Sequence, residues 1–203
     1  DGENRFSQTY DAGKWKFKKK SVQAYVEQLA EIYDTVGTTR TFQTYTGRYV
    51  EETGSRYGWK IDVEAETKGL RETLASGRSQ ERIPEFSQTG AAYTKSDDIG
   101  YSYVEVDLTN QHVYLIVSGK LVTDSPCVTG CVKNGHGTPD GLYSVTYKES
   151  PSVLRGEDYE TKVNFWMPFN RGIGLHDATW RSEFGGDIYY SSGSHGCVNL
   201  PYK

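Results

Sequence analysis

The 203-residue sequence contains no run of about eighteen apolar residues, so no segment has the length and hydropathy of a membrane-spanning helix. Neither sign of charge dominates. Residues 1–98 carry 15 basic and 16 acidic side chains and residues 99–203 carry 8 and 11, for a net charge of −4. That balance excludes the electrostatics of a nucleic-acid binder, and no nucleic-acid partner is expected. The exception is the run Lys14, Lys16, Lys18, Lys19 and Lys20. It reads as a solvated face or edge strand, or as a contact with an anionic polymer or membrane surface. Cysteine is scarce: Cys127, Cys131 and Cys197, an odd number. An odd count points to a leftover reactive thiol or to no disulfide at all. Cys127 and Cys131 are four positions apart, about 13 Å in an extended strand, whereas a disulfide needs Cα atoms within about 7 Å. Both are expected to pack inward. The chain opens Asp1-Gly2-Glu3-Asn4 without an initiator Met or signal peptide, and reads as an excised fragment.

Aromatic residues are plentiful at 13%, with sixteen tyrosines, against 35% hydrophobic residues overall. Tyr and Trp supply apolar bulk with a polar handle, so the chain folds rather than remaining disordered. Its length suits one large domain or two small ones. Residues 21–36 place Val22, Tyr25, Val26, Leu29, Ile32, Tyr33 and Val36 at helical spacing, with Ser21 as N-cap. Residues 41–47 and 56–61 alternate as strands. Asp62 caps a second helix that stops near Gly77. A polar, turn-rich stretch over 86–100 sets a domain boundary near residue 98. Beyond it the pattern is strand after strand: 101–107, 112–117, 121–130, 141–147 and 164–169, with a turn at Ser118-Gly119. Residues 149–163 read as a long polar connection that could serve as a lid. The expected architecture is an α+β domain over 1–98 and a mainly-β, sandwich- or barrel-like domain over 99–203.

The chemistry-bearing residues lie near the end. In Ser194-His195-Gly196-Cys197-Val198-Asn199 the glycine before Cys197 lets the backbone bend and aim successive N–H groups at one point, as an oxyanion hole requires. A thiol attacks as thiolate and needs a base or cation nearby. Gly172-Ile173-Gly174-Leu175-His176-Asp177-Ala178-Thr179-Trp180 offers one: His176, twenty-one residues upstream, can take the thiol proton if its other nitrogen is held. A thiol activated in this way is expected to react well below pH 8. Gly137-Thr138-Pro139-Asp140-Gly141 is a strong turn signal. The bland alternative is a buried Cys197 and two structural histidines.

In order and spacing, Thr138-Pro139-Asp140-Gly141, Met167-Pro168-Phe169, the Gly-x-His-Asp-x-x-Trp element and Ser194-His195-Gly196-Cys197-Val198 resemble the catalytic domain of bacterial L,D-transpeptidases. The resemblance covers residues 99–203, and residues 1–98 resemble the peptidoglycan-binding-type domain that often precedes it. It implies a two-step acyl transfer. Cys197 attacks the carbonyl of the third residue of a tetrapeptide stem, D-Ala leaves, and an amine from a neighbouring stem resolves the thioester into a 3→3 cross-link. His176 is then the base, oriented by the main-chain carbonyl of Asp177. His195, Gly196 and Cys197 supply oxyanion N–H groups, with His195 in a supporting role. Ser194, Asn199, Trp180, Met167 and Gly172 are expected to face substrate. Many family members carry Arg where this chain has Asn199, which is one branch's choice. The partners implied are peptidoglycan stem peptides and, as covalent inhibitors, carbapenem-type β-lactams. No cofactor is implied, and the expected location is the outer face of the cell envelope, with an anchor preceding residue 1 and the domain continuing past Lys203.

Three other readings compete. Zinc at Cys127, Cys131, His112 and His136 lacks a matching second ligand pair, so no metal is expected. A papain-like protease would place its cysteine before its histidine. An L,D-carboxypeptidase shares the whole site and lets water resolve the thioester, while a cell-wall binding module would leave Cys197 inert.

Overall fold

The computed structural model describes residues 6–93, 98–156 and 160–202. Its contacts group into two units, residues 1–40 with 53–100, and residues 41–52 with 101–203. The grouping differs from a single cut near residue 98, because the 41–52 segment goes with the second unit.

The chain begins with a hairpin of β1 (Gln8–Asp11) and β2 (Lys14–Phe17), followed by α1 (Lys19–Tyr33). α1 starts before Ser21 and ends before Val36. Ser21 lies inside the first turn, where its hydroxyl donates to the Lys18 carbonyl (2.9 Å) and accepts the Ser7 N–H (3.2 Å). It ties the hairpin to the helix rather than capping it. Val22 and Val26, one turn apart, are fully buried. The strand expected over 41–47 ends at Gln43: β3 (Arg40–Gln43) and β4 (Tyr49–Glu52) form a short hairpin that, past Arg40, goes with the second unit, and β5 is only Lys60–Ile61. Asp62 caps α2 (Val63–Ala75) by accepting the Ala65 N–H at 2.9 Å, and Gly77 follows its end with φ +64°. β6 (Phe86–Gln88) pairs with β5. Helices and short strands together make the first unit α+β.

The second unit is mainly β. β7 (Tyr103–Asp107), β8 (His112–Val117) and β9 (Lys120–Pro126) form an antiparallel meander. Ser118 and Gly119 both have positive φ, the two-residue turn whose twist suits a hairpin. β9 stops at Pro126. Residues 127–130 then leave the meander and bridge to the other sheet, Val128 to Asn199 and Gly130 to Ser194. Residues 141–147 form no ladder, although Thr146 donates its N–H to the Pro168 carbonyl at 2.8 Å. The 149–163 connection contains a hairpin of β10 (Ser152–Arg155) and β11 (Glu160–Val163), so it is a paired element rather than a structureless loop. β12 (Trp166–Asn170) pairs antiparallel with β13 (Ile173–Asp177). The chain then passes through α3 (Ile188–Ser192) and returns as β14 (Val198–Leu200), parallel to β13.

The core joins the two sheets. Val113 of β8 and Cys127 pack with Leu175 of β13 and Val198 of β14, and Val106, Met167, Phe169 and Leu200 close around them. Alternation along a strand then decides the site. With Leu175 and Val198 turned into the core, His176 and Asn199 must face the other way, and so must Cys197.

Candidate active site

β13 and β14 run in parallel register, Leu175 beside Val198 and His176 beside Asn199. One step back, Gly174 lies beside Cys197. Its N–H favours the thiolate, while burial pushes the Cys197 thiol above its ordinary range as the larger effect. The thiol donates to the Gly172 carbonyl at 3.7 Å. Cys197 is partly exposed, whereas Cys127 and Cys131 are buried and free, off the regular strand on which their inward packing was expected.

His176 is 3% exposed. Its ring lies 5.9 Å from the Trp166 ring and 5.8 Å from that of Trp180. Nδ1 lies 2.8 Å from the Asp177 carbonyl oxygen, which can only accept, so Nδ1 carries the proton. Nε2 lies 3.0 Å from Asn199 Nδ2, and the Asn199 Oδ1 accepts from Arg181 Nε at 2.8 Å. With its oxygen engaged by Arg181, the Asn199 amide presents a donor to His176, and Nε2 is the acceptor. The imidazole is therefore the Nδ1–H tautomer. Burial holds its pKa below the usual histidine value. The Asp177 carbonyl and carboxylate oppose that shift, and Arg181 adds to it. Burial thus favours the neutral form of both groups, the thiol and the imidazole.

The turn before the thiol is held by side chains as well as by glycine. Gly196 has φ +116°, and a Cβ there would come within 2.9 Å of Ile173 Cδ1. The Gly196 N–H donates to Ser194 Oγ (3.0 Å), and that hydroxyl donates to the Cys197 carbonyl (2.6 Å). Thr138 Oγ1 donates to the Gly196 carbonyl at 2.7 Å and accepts the Gly130 N–H at 2.9 Å, so the Thr-Pro-Asp-Gly turn braces the cysteine loop.

The residues expected from the sequence divide by placement. Cys197 meets the Gly172 carbonyl and His176 the Asp177 carbonyl, along the adjoining β13 and β14. Trp180 is half exposed beside His176. His195 is exposed, its ring 4.8 Å from the ring of His136. Four expected roles meet a different geometry. Met167 packs against the core instead of facing substrate. Asn199 is 2% exposed, with its amide oxygen bonded to Arg181 and its amide nitrogen to His176 rather than open to substrate. Ser194 clamps the turn with its hydroxyl, and the Gly196 N–H is taken by that hydroxyl rather than aimed at an oxyanion. The Asp177 carboxylate accepts the Asn164 and Phe165 N–H groups at 2.7 and 2.8 Å and Asn164 Nδ2 at 2.8 Å. Burial opposes its ionisation, and these bonds hold its pKa low. Sequence reasoning missed Arg181, Trp166 and Asn164. The β12–β13 pairing sets Trp166 opposite His176 and brings Asn164 to Asp177, and Arg181 arrives through its bond to Asn199 of β14; no motif spacing signals these contacts.

The arrangement can transfer a proton from a thiol to a neutral imidazole and support acyl transfer. Residues 101–203 match the family model of the L,D-transpeptidase catalytic domain. Residues 2–82 match a model described as "Putative peptidoglycan binding domain". Among solved structures, the chain is similar to a cysteine-to-serine mutant of the Enterococcus faecium L,D-transpeptidase, with 33% identity over 96% of this chain and 78% of that one, at a TM-score of 0.77. It is similar also to the avibactam carbamoyl enzyme of Ldtfm, with 33% identity over 96% and 77% and a TM-score of 0.77. No curated protein matches the chain.

Proposed function

This chain belongs to the L,D-transpeptidase family, and from that premise we propose that Cys197 and His176 carry out its acyl transfer on a tetrapeptide stem of peptidoglycan. In the first step the Cys197 proton passes to His176 Nε2 as sulfur bonds to the carbonyl carbon of the third stem residue. The amide C–N bond then breaks, and His176 returns the proton to the departing D-Ala amine. In the second step an amine of a neighbouring stem attacks the thioester and gives its proton to His176. The C–S bond breaks and the thiolate recovers that proton, leaving a 3→3 cross-link. The observation that carries this reading is a Cys197–His176 pair on one face of β13–β14, with the imidazole in the tautomer whose Nε2 is a lone-pair base.

The same thiol accepts a strained acyl donor, so carbapenem-type β-lactams are covalent inhibitors in this account. The avibactam carbamoyl structure of the similar Ldtfm supports it. Incubation with a carbapenem and peptide mass spectrometry test it. An adduct on the Cys197 peptide is expected, and an adduct elsewhere, or none, contradicts it. We propose the outer face of the cell envelope as its location, since that is where a peptidoglycan stem would meet it.

For the first unit we propose that wall polymer binds in the cleft of about 310 Å³ lined by Trp15, Lys16, Phe17, Lys68, Arg71, Glu72 and Ala75. Aromatic faces suit sugar rings, and three cations against one carboxylate suit an anionic polymer within an acidic protein. Arg71→Glu is expected to lower the fraction of protein that pellets with insoluble peptidoglycan, and unchanged pelleting contradicts the assignment.

A further inference from the structure

We propose that Arg181 is a positioning residue for acyl transfer: through Asn199 it fixes which nitrogen of His176 holds the lone pair, and Asn199 occupies that lone pair until the thiol takes its place. The inference rests on the Cys197–His176 reading above and adds a control layer to it.

Hydrogen-bond direction sets the arrangement around His176. An Asn amide has one accepting and one donating end. Left alone, the Asn199 amide could turn its oxygen to His176 and stabilise the Nε2–H tautomer, which cannot accept a proton from Cys197 at that nitrogen. A guanidinium only donates, so Arg181 Nε at 2.8 Å selects the Asn199 oxygen and turns the NH₂ end to His176. At the other side of the ring the Asp177 carbonyl, a pure acceptor, demands N–H at Nδ1. The two ends of the chain Arg181–Asn199–His176–Asp177 thus require the same tautomer. Asn199 is 2% exposed and His176 3%, so water does not compete freely for these bonds.

The charges facing His176 are few. Asp177 comes from its own strand and Cys197 from the approach to β14. Arg181 comes from the segment after β13, while Trp166 of β12 and Trp180 present uncharged rings. Burial keeps the imidazole neutral as the largest effect, and Arg181 adds a smaller push in the same direction, against the pull of Asp177. At rest the thiol donates to Gly172 and the imidazole accepts from Asn199, so each reacting group is held by a different partner. Reaction exchanges them: the S–H leaves the Gly172 carbonyl and displaces the Asn199 N–H from Nε2.

A merely structural Arg181, closing the turn in which its N–H donates to the Ala178 carbonyl, predicts altered stability and nothing else. The test compares the parent with Arg181→Met and Arg181→Lys. Two readouts are used: the rate of carbapenem acylation against pH, and the ring-nitrogen NMR shifts of His176. Arg181→Met is expected to slow acylation roughly 10–100-fold, the scale known for outer-shell partners of metal-bound histidines. Its acid limb should move to higher pH, because a lost cation makes the imidazolium easier to form. The His176 ring should lose its pure Nδ1–H signature. Arg181→Lys keeps the charge but not the directed Nε, so its acid limb should stay with the parent while its rate falls. A parent ring in the Nε2–H tautomer overturns the proposal. So does an Arg181→Met protein that keeps the parent's tautomer and pH profile within twofold. If Arg181→Met does not fold, the parent tautomer and Arg181→Lys decide. A parent that is never acylated contradicts the catalytic reading instead, and the ring spectrum still judges the hydrogen-bond chain.

Discussion

Nucleophile strength and base strength move in opposite directions at this site, and both moves follow from burial. Water stabilises a thiolate and an imidazolium. Removing water raises the thiol pKa and lowers that of the imidazole. The motif led to the opposite expectation, a thiol reactive well below pH 8, because residue type and spacing do not reveal burial. Two outcomes follow. The acid limb of acylation, set by protonation of His176, lies below the ordinary histidine range of about 6.5, since a lowered pKa needs a lower pH to protonate it. A pH–rate profile checks this, and a limb above that value contradicts it. Alkylation by iodoacetamide, which takes the free thiolate, is slow at neutral pH and rises only above the usual thiol range. It modifies Cys197 alone in the folded protein. Cys127 is fully buried with its thiol pushed up to about 12, and Cys131 is 3% exposed, so both stay unlabelled until the chain unfolds. Peptide mapping reads the sites.

Strand register does what the motif could not. The sequence makes His176, Cys197 and the bend at Gly196 legible, because a glycine-rich approach and a Gly-Cys step have few other uses. It also makes the β7–β8–β9 meander legible through alternation and the Ser118-Gly119 turn. β14 is three residues long and all five residues of β13 lie within the glycine-rich motif, so neither shows alternation long enough to be recognised. Their parallel pairing is a long-range contact, and it alone decides that Asn199 meets His176. Residues 141–147 alternate yet form no ladder, because their partner β12 takes only isolated bonds from them. At this scale the central device is the bend. Gly196→Ala places a side chain at φ +116° against Ile173, a strain of roughly 1–3 kcal/mol. It is expected to lower the melting temperature and slow carbapenem acylation together. Unchanged acylation in a folded Gly196→Ala protein contradicts the role of the turn.

Across the whole molecule the net charge of −4 hides a few deeply buried carboxylates. Burial opposes ionisation of Asp98, Asp107 and Asp177, but Arg40 and Thr35, the Asn110 and Thr109 donors, and the Asn164 and Phe165 donors hold each below the ordinary carboxylate range. A depressed carboxylate adds stability that is complete above its unfolded pKa of about 3.9 and lost as pH falls through the folded value. Thermal unfolding followed by circular dichroism should therefore show a nearly constant melting temperature from pH 7 to about 5 and a steep fall below about 4. Asp177→Asn should flatten that fall. The central claim concerns Cys197, and it is tested most directly with a disaccharide-tetrapeptide substrate, products read by mass spectrometry, beside a Cys197→Ala control. A dimer lacking one D-Ala, absent from the control, is the predicted result. A tripeptide without dimer assigns the same thiol to hydrolysis and contradicts transpeptidation, and a dimer formed equally by Cys197→Ala contradicts the nucleophile.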